Sequence, residues 1–230
     1  MLDPEVLGPG KDVGYPGGFS FYAAGRGGVL GDVDAGVVVS AFGFFAETLV
    51  RPLWESGIAV EGARAAADRY TAGAASWGRR RLTDFRGAER LVELTEKIVD
   101  GADTTGLTLF AGWRAQRRPD DAAGRCYVLL HVLRELRGSA HVASVAAAGL
   151  TPLQAILLNP SARGADQAKF FGWGPEFPDV SQQESLFRRA EDDTNRISAR
   201  TIATLSDAEI DELVEQVDAA ATALARPVGD

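Results

Sequence analysis

The segment 126–159, CYVLLHVLRELRGSAHVASVAAAGLTPLQAILLN, constrains the fold more than any other part of this 230-residue chain. Its apolar residues return every three to four positions, the spacing that lines one face of a helix; a strand, whose side chains alternate, would scatter them over both faces. Gly138 and Gly149 punctuate the run, and Thr151-Pro152 restarts it, because threonine caps a helix and proline in the first turn loses no needed hydrogen bond. The segment therefore reads as helix, tight turn, helix, turn, helix. It carries both histidines of the chain. His131 falls mid-helix among Leu129, Leu130, Val132 and Leu133, whereas His141, after Gly138, falls at a helix mouth beside Arg137.

The same periodicity recurs elsewhere. Asp34 is placed to cap a helix running to about Val50, with Val37, Val38, Ala41, Phe42, Phe45 and Leu49 recurring at helical spacing and Pro52 marking its exit. Further helices are predicted over 61–77, 88–99, 107–115 and 125–137. Two close the chain: one over 182–202, and one opened by a capping box at Ser206 and Glu209. Residues 1–18, dense in proline and glycine, predict an irregular arm. Residues 159–180 predict a loop whose Phe170, Phe171, Trp173 and Phe177 need cover. No strand pattern emerges, so the class is all-α. A single domain over 19–230 is expected, with a helix-turn-helix-like core at about 122–160 and C-terminal helices at about 182–226.

Composition narrows the function. A net charge of −8 opposes a protein whose task is to neutralise phosphates, so DNA is not expected as a partner. One cysteine, Cys126, excludes an intrachain disulfide, and its apolar helical setting argues for an inert thiol. There is no apolar run of bilayer length and no leader-like start, so a cytoplasmic protein without membrane contact is expected. Neither a Gly-x-Ser-x-Gly elbow nor a phosphate-binding glycine loop is present. The basic patch of Arg79, Arg80 and Arg81 reads as a solvated or dimer-facing surface.

His131 and Glu135, four apart, share a helical face that His141 could join from a following helix. With so few soft ligands no metal or other cofactor is expected, and a metal or haem at His131 or His141 is the alternative. His131 reads as a core histidine. His141, at a helix N-terminus beside Arg137, should have its proton affinity lowered, leaving a neutral imidazole able to take a proton.

Four segments carry a resemblance: FYAAGRGGVLGDV at 21–33, AFGFFAE from Ala41, LRELRGSAHVASVAAAGL at 133–150 and RRAEDDTNRISARTIATL at 188–205. With them the chain resembles an actinobacterial family of helix-turn-helix, MarR-like proteins, which implies a winged-helix-derived architecture and brings no established activity. Where such proteins carry a long recognition helix and a wing, this chain has GWGPEFPD at 172–179, so a degenerate wing and a lost DNA-reading helix are expected.

The resulting expectation is a protein of specialised metabolism that binds a small organic molecule between helices. Phe42, Phe44, Phe45, Trp113 and Trp173 would line the pocket, and Arg26, Arg137 and His141 would fix polar groups. The alternative is an enzyme on the same pocket, with His141 as general acid or base, Arg137 stabilising an anion and Glu191 orienting or exchanging protons. A MarR-like transcriptional regulator stands third. A homodimer is expected because the stripe Ile210, Leu213, Val217 and Leu224 on the last helix needs cover.

Overall fold

The structure, a computed structural model, describes residues 3–161 and 163–226. These form α1 (Pro4–Lys11), α2 (Gly18–Gly27), α3 (Ala35–Phe42), α4 (Glu47–Glu61), α5 (Ala63–Arg81) and α6 (Ala88–Gly101), then α7 (Thr108–Arg114), α8 (Ala122–Ala147), α9 (Pro152–Leu158), α10 (Ala165–Phe170), α11 (Glu184–Ile202) and α12 (Asp207–Ala225). No strand occurs among the described residues, and the fold is all-α.

The long α8 is the axis. Helices α5, α6, α7 and α11 pack around it, and α2 lies against α4 and α5. Gly138 does not break α8. An added Cβ there would meet nothing within 4 Å, and the helix runs on to Ala147, so glycine acts only through its intrinsic cost of about 1 kcal/mol relative to alanine. The predicted tight turn is therefore absent, and His141 lies well inside a helix rather than at its mouth. The dipole argument for its proton affinity falls with that placement.

The true corner comes at Gly149 (φ +81°), after which Thr151 accepts from the Gln154 N–H and Gln154 reciprocates to the Thr151 N–H. This capping box starts α9 at 107° to α8, a helix-turn-helix corner. No single described helix is long and apolar enough to cross a membrane.

Three further expectations are corrected. The arm at 1–18 contains a helix: Asp3 caps α1 by accepting from the Glu5 N–H at 2.8 Å, and Val6 and Gly10 are buried against α5 and α2. Tertiary packing outweighs the local cost of Gly8, Pro9 and Gly10. The helix predicted from Asp34 to about Val50 stops at Phe42 and resumes at Glu47, and Pro52 sits inside α4, where it deprives only the Thr48 carbonyl of its helical partner. Finally, the α12 stripe is met within its own chain. Leu213 is buried in the main core, and Ile210, Val217 and Leu224 pack on it beside α6, so the stripe supplies no argument for a dimer.

A candidate ligand-binding site at the Gly43 corner

Gly43 closes a γ-turn between α3 and α4. Its φ of +69° and ψ of −66° go with a Phe44 N–H donating to the Phe42 carbonyl at 2.8 Å, a strained geometry that side chains other than glycine's rarely tolerate. A Cβ at Gly43 would also lie 2.4 Å from Val142 Cγ2 of α8, so glycine is required by conformation and by close approach together. The turn splays three aromatic rings. Phe42 is buried, Phe44 stacks on His141 with centroids 5.2 Å apart, and Phe45 lies 4.2 Å from Phe171.

The segment after α10 is fastened to this corner by two hydrogen bonds. The Ala46 N–H donates to the Phe171 carbonyl at 2.8 Å, and the Trp173 indole N–H donates to the Phe44 carbonyl at 2.8 Å. Two clefts flank the corner and share Phe44, Phe45 and Val142 as walls. One, of about 610 Å³, is closed by Val145, Leu150, Pro152 and Trp173, with Glu47 as its one charged lining residue. The other, of about 550 Å³, lies between α8 and α10 and is bounded by Arg134, Arg137, Gly138, Arg163, Phe170 and Phe171.

Arg26 and Glu135 form the floor of the second cleft. The Arg26 guanidinium donates from Nε and Nη2 to the two Glu135 oxygens at 3.0 and 2.8 Å and lies 4.4 Å from the Phe42 ring. Arg134 donates to the same carboxylate at 2.6 Å. Burial alone would raise the Glu135 carboxyl, but the Arg26 guanidinium, with Arg134 beside it, outweighs burial and holds it below the usual range. His131 is buried one turn earlier, edge-on to Trp113 at 4.3 Å. Its Nε2 is 3.6 Å from Glu135 Oε1, too far for a hydrogen bond, and neither ring nitrogen has a hydrogen-bond partner among the described residues. Burial, only partly opposed by Glu135, pushes the imidazole down to about 3.

His141, Arg137 and Glu191 are brought together, Glu191 coming from α11. Arg137 Nη2 donates to Glu191 at 3.1 Å, and His141 Nδ1 lies 3.0 Å from Thr194 Oγ1 and 3.4 Å from Glu191 Oε1. Since the Thr194 hydroxyl donates to the Ala190 carbonyl at 2.7 Å, it accepts from His141, which fixes the proton on Nδ1. Burial, aided by Arg137 and opposed by Glu191, lowers the His141 pKa. The ring is wedged between Phe44 and α11 and forms a wall of neither cleft.

Of the other expected pocket residues, Phe42, Phe44, Phe45 and Trp173 line one cleft or both, and Arg26 lines the second, committed to Glu135. Trp113 does not. It is in the core, its indole donating to the Arg26 carbonyl at 3.2 Å. Sequence reasoning missed Gly43, Arg134, Gly138 and Arg163. For Arg134 and Gly138 a signal existed, since with Arg137 they fall on one face of a continuous helix at i, i+3 and i+4. Among the described residues no three His, Cys, Asp or Glu side chains are grouped to hold a metal ion. His131 and His141 lie on one helix, about 15 Å apart along its axis, too far to share an ion, the alternative that His141 on a following helix would have allowed. The thiol of Cys126 is buried and pushed up to about 12, which leaves it unreactive.

No curated protein and no solved structure matches the chain. Its sequence over residues 1–228 matches the Helix-turn-helix family. That match spans the α8–α9 corner, both clefts and the C-terminal helices alike, and by it the chain belongs to the Helix-turn-helix family.

Proposed function

We propose that this chain is a small-molecule-binding member of the Helix-turn-helix family, which receives an organic ligand in the clefts beside the Gly43 corner. The observation that carries the reading is the corner itself: a strained γ-turn holds Phe44 and Phe45 as a common wall of two clefts whose volumes suit small organic ligands. The turn sends Phe42 into the core while Phe44 and Phe45 line the clefts, an arrangement that would serve a ligand site.

Saturable one-to-one binding of the uncharged probe N-phenyl-1-naphthylamine, weakened at least tenfold in Ala146→Trp, which fills the Trp173-side cleft, is the expected result. Unsaturable emission in the wild-type protein would overturn the reading. A second reading, a DNA-binding regulator of MarR-like descent, is favoured by the family and by the 107° corner. Against it, α9 carries no lysine or arginine, and the segment at 172–179 is not helical. Sequence-specific retardation of duplex DNA at physiological salt would move the assignment to that reading; no retardation is expected.

A further inference from the structure

We infer that the cleft between α8 and α10 takes an organic anion, a flat apolar body bearing one carboxylate, sulfonate or phosphate group. The inference rests on the ligand-binding reading above and adds the ligand's class. Its lining holds four guanidinium groups and one carboxylate, in a chain with 24 basic and 32 acidic residues. Glu135 is shared by Arg26 and Arg134, and Arg137 is paired to Glu191, while Arg163 makes no ion pair with any described residue. Cations therefore outnumber the carboxylates that neutralise them.

Two other clefts show the contrast. The Trp173-side cleft has no cation, and the arginine-bearing hollow beside α5 has Arg79, Arg117 and Arg118 each with its own acid: Asp121, Asp120 and Asp100. Arginine pairs with anionic oxygens through a planar fork, and Arg134 and Arg137, each more than half exposed, remain open to one.

The rest of the cleft suits the body of such a ligand. Phe44, Phe45, Phe170 and Phe171 line it, and Phe170 is 42% exposed, large for a ring with no partner to cover it fully. Gly138 sits between Arg134 and Val142 on the α8 wall with open space where a side chain would stand. No packing contact explains glycine there, in the middle of a helix; an unobstructed cleft does.

The test uses two naphthalene probes of similar body, 8-anilinonaphthalene-1-sulfonate and uncharged N-phenyl-1-naphthylamine, titrated into wild type, the double variant Arg134→Ala/Arg163→Ala, and Gly138→Trp. Melting curves confirm that each variant is folded. The sulfonate should lose at least tenfold in affinity in the double variant and its saturable binding in Gly138→Trp, while the neutral probe stays within twofold in both. Sulfonate affinity unchanged in the double variant, with the neutral probe still saturable, overturns the anion assignment and leaves the ligand-binding reading standing. Saturation by neither probe overturns both.

Discussion

Acid should destabilise this protein through His131, and replacing that residue with leucine should remove the effect. The buried imidazole is held at about 3 in the folded chain against an ordinary value of 6.5, so the unfolded chain binds a proton that the folded chain refuses. The sign follows. The stability linked to the neutral ring is complete above pH 6.5 and is lost as pH falls toward the folded value. At pH 5 the gap of 1.5 pH units at 1.36 kcal/mol each gives a loss of about 2 kcal/mol. Glu135, held below its usual range, stays ionised across this window and adds little.

Urea denaturation of wild type and His131→Leu at pH 7 and pH 5 isolates the term, since His141, whose pKa is also lowered, is common to both proteins. The wild type should lose about 2 kcal/mol more than the variant between the two pH values. At pH 7 the variant should be no less stable than wild type, because leucine removes two ring nitrogens that have no hydrogen-bond partner among the described residues. Equal pH dependence in the two proteins would refute the reasoning, by showing that the ring titrates in place beside Glu135.

Three other perturbations follow from the geometry. Glu135→Ala leaves the buried Arg26 guanidinium without its bidentate partner and should cost about 3–5 kcal/mol in chemical denaturation. Gly43→Ala meets both a φ of +69° and a Cβ contact of 2.4 Å with Val142, and should lower stability by about 1–3 kcal/mol and weaken binding of the neutral naphthylamine probe as the corner relaxes. Gly138→Ala, in open space on a helix, should raise stability by about 0.5–1 kcal/mol, read as a higher melting temperature.

Much of the helical scaffold was legible because it is local. The threonine cap at Thr151, the capping box at Ser206 and the apolar periodicity of α6, α11 and α12 are written within a few residues, and the helices start where those signals stand. Glycine misled in both directions. Gly138 reads as a turn yet lies in a helix whose neighbours hold it, while Gly43, within an apolar run, makes the sharpest turn at the site. The two have the same intrinsic preferences and differ only in what tertiary contact imposes.

The Arg26–Glu135 pair joins residues 109 apart, and no spacing rule announces it. His141, Arg137 and Glu191 were nameable together and do meet, but the direction of the imidazole toward Thr194 depends on where α11 packs. The same holds for the α12 stripe, whose apolar face is evident in the sequence while its partner, α6 of the same chain, is not.

The central claim, that the Gly43 corner is a ligand site, is tested most directly by amide and indole chemical-shift mapping of the isotope-labelled protein titrated with N-phenyl-1-naphthylamine. The account predicts saturable shifts concentrated at Phe44, Phe45, the Trp173 indole and Val142, with the Trp54 and Trp113 indoles of the core unmoved. Shifts confined to surfaces away from 43–46 and 172–174, or none that saturate, would contradict it.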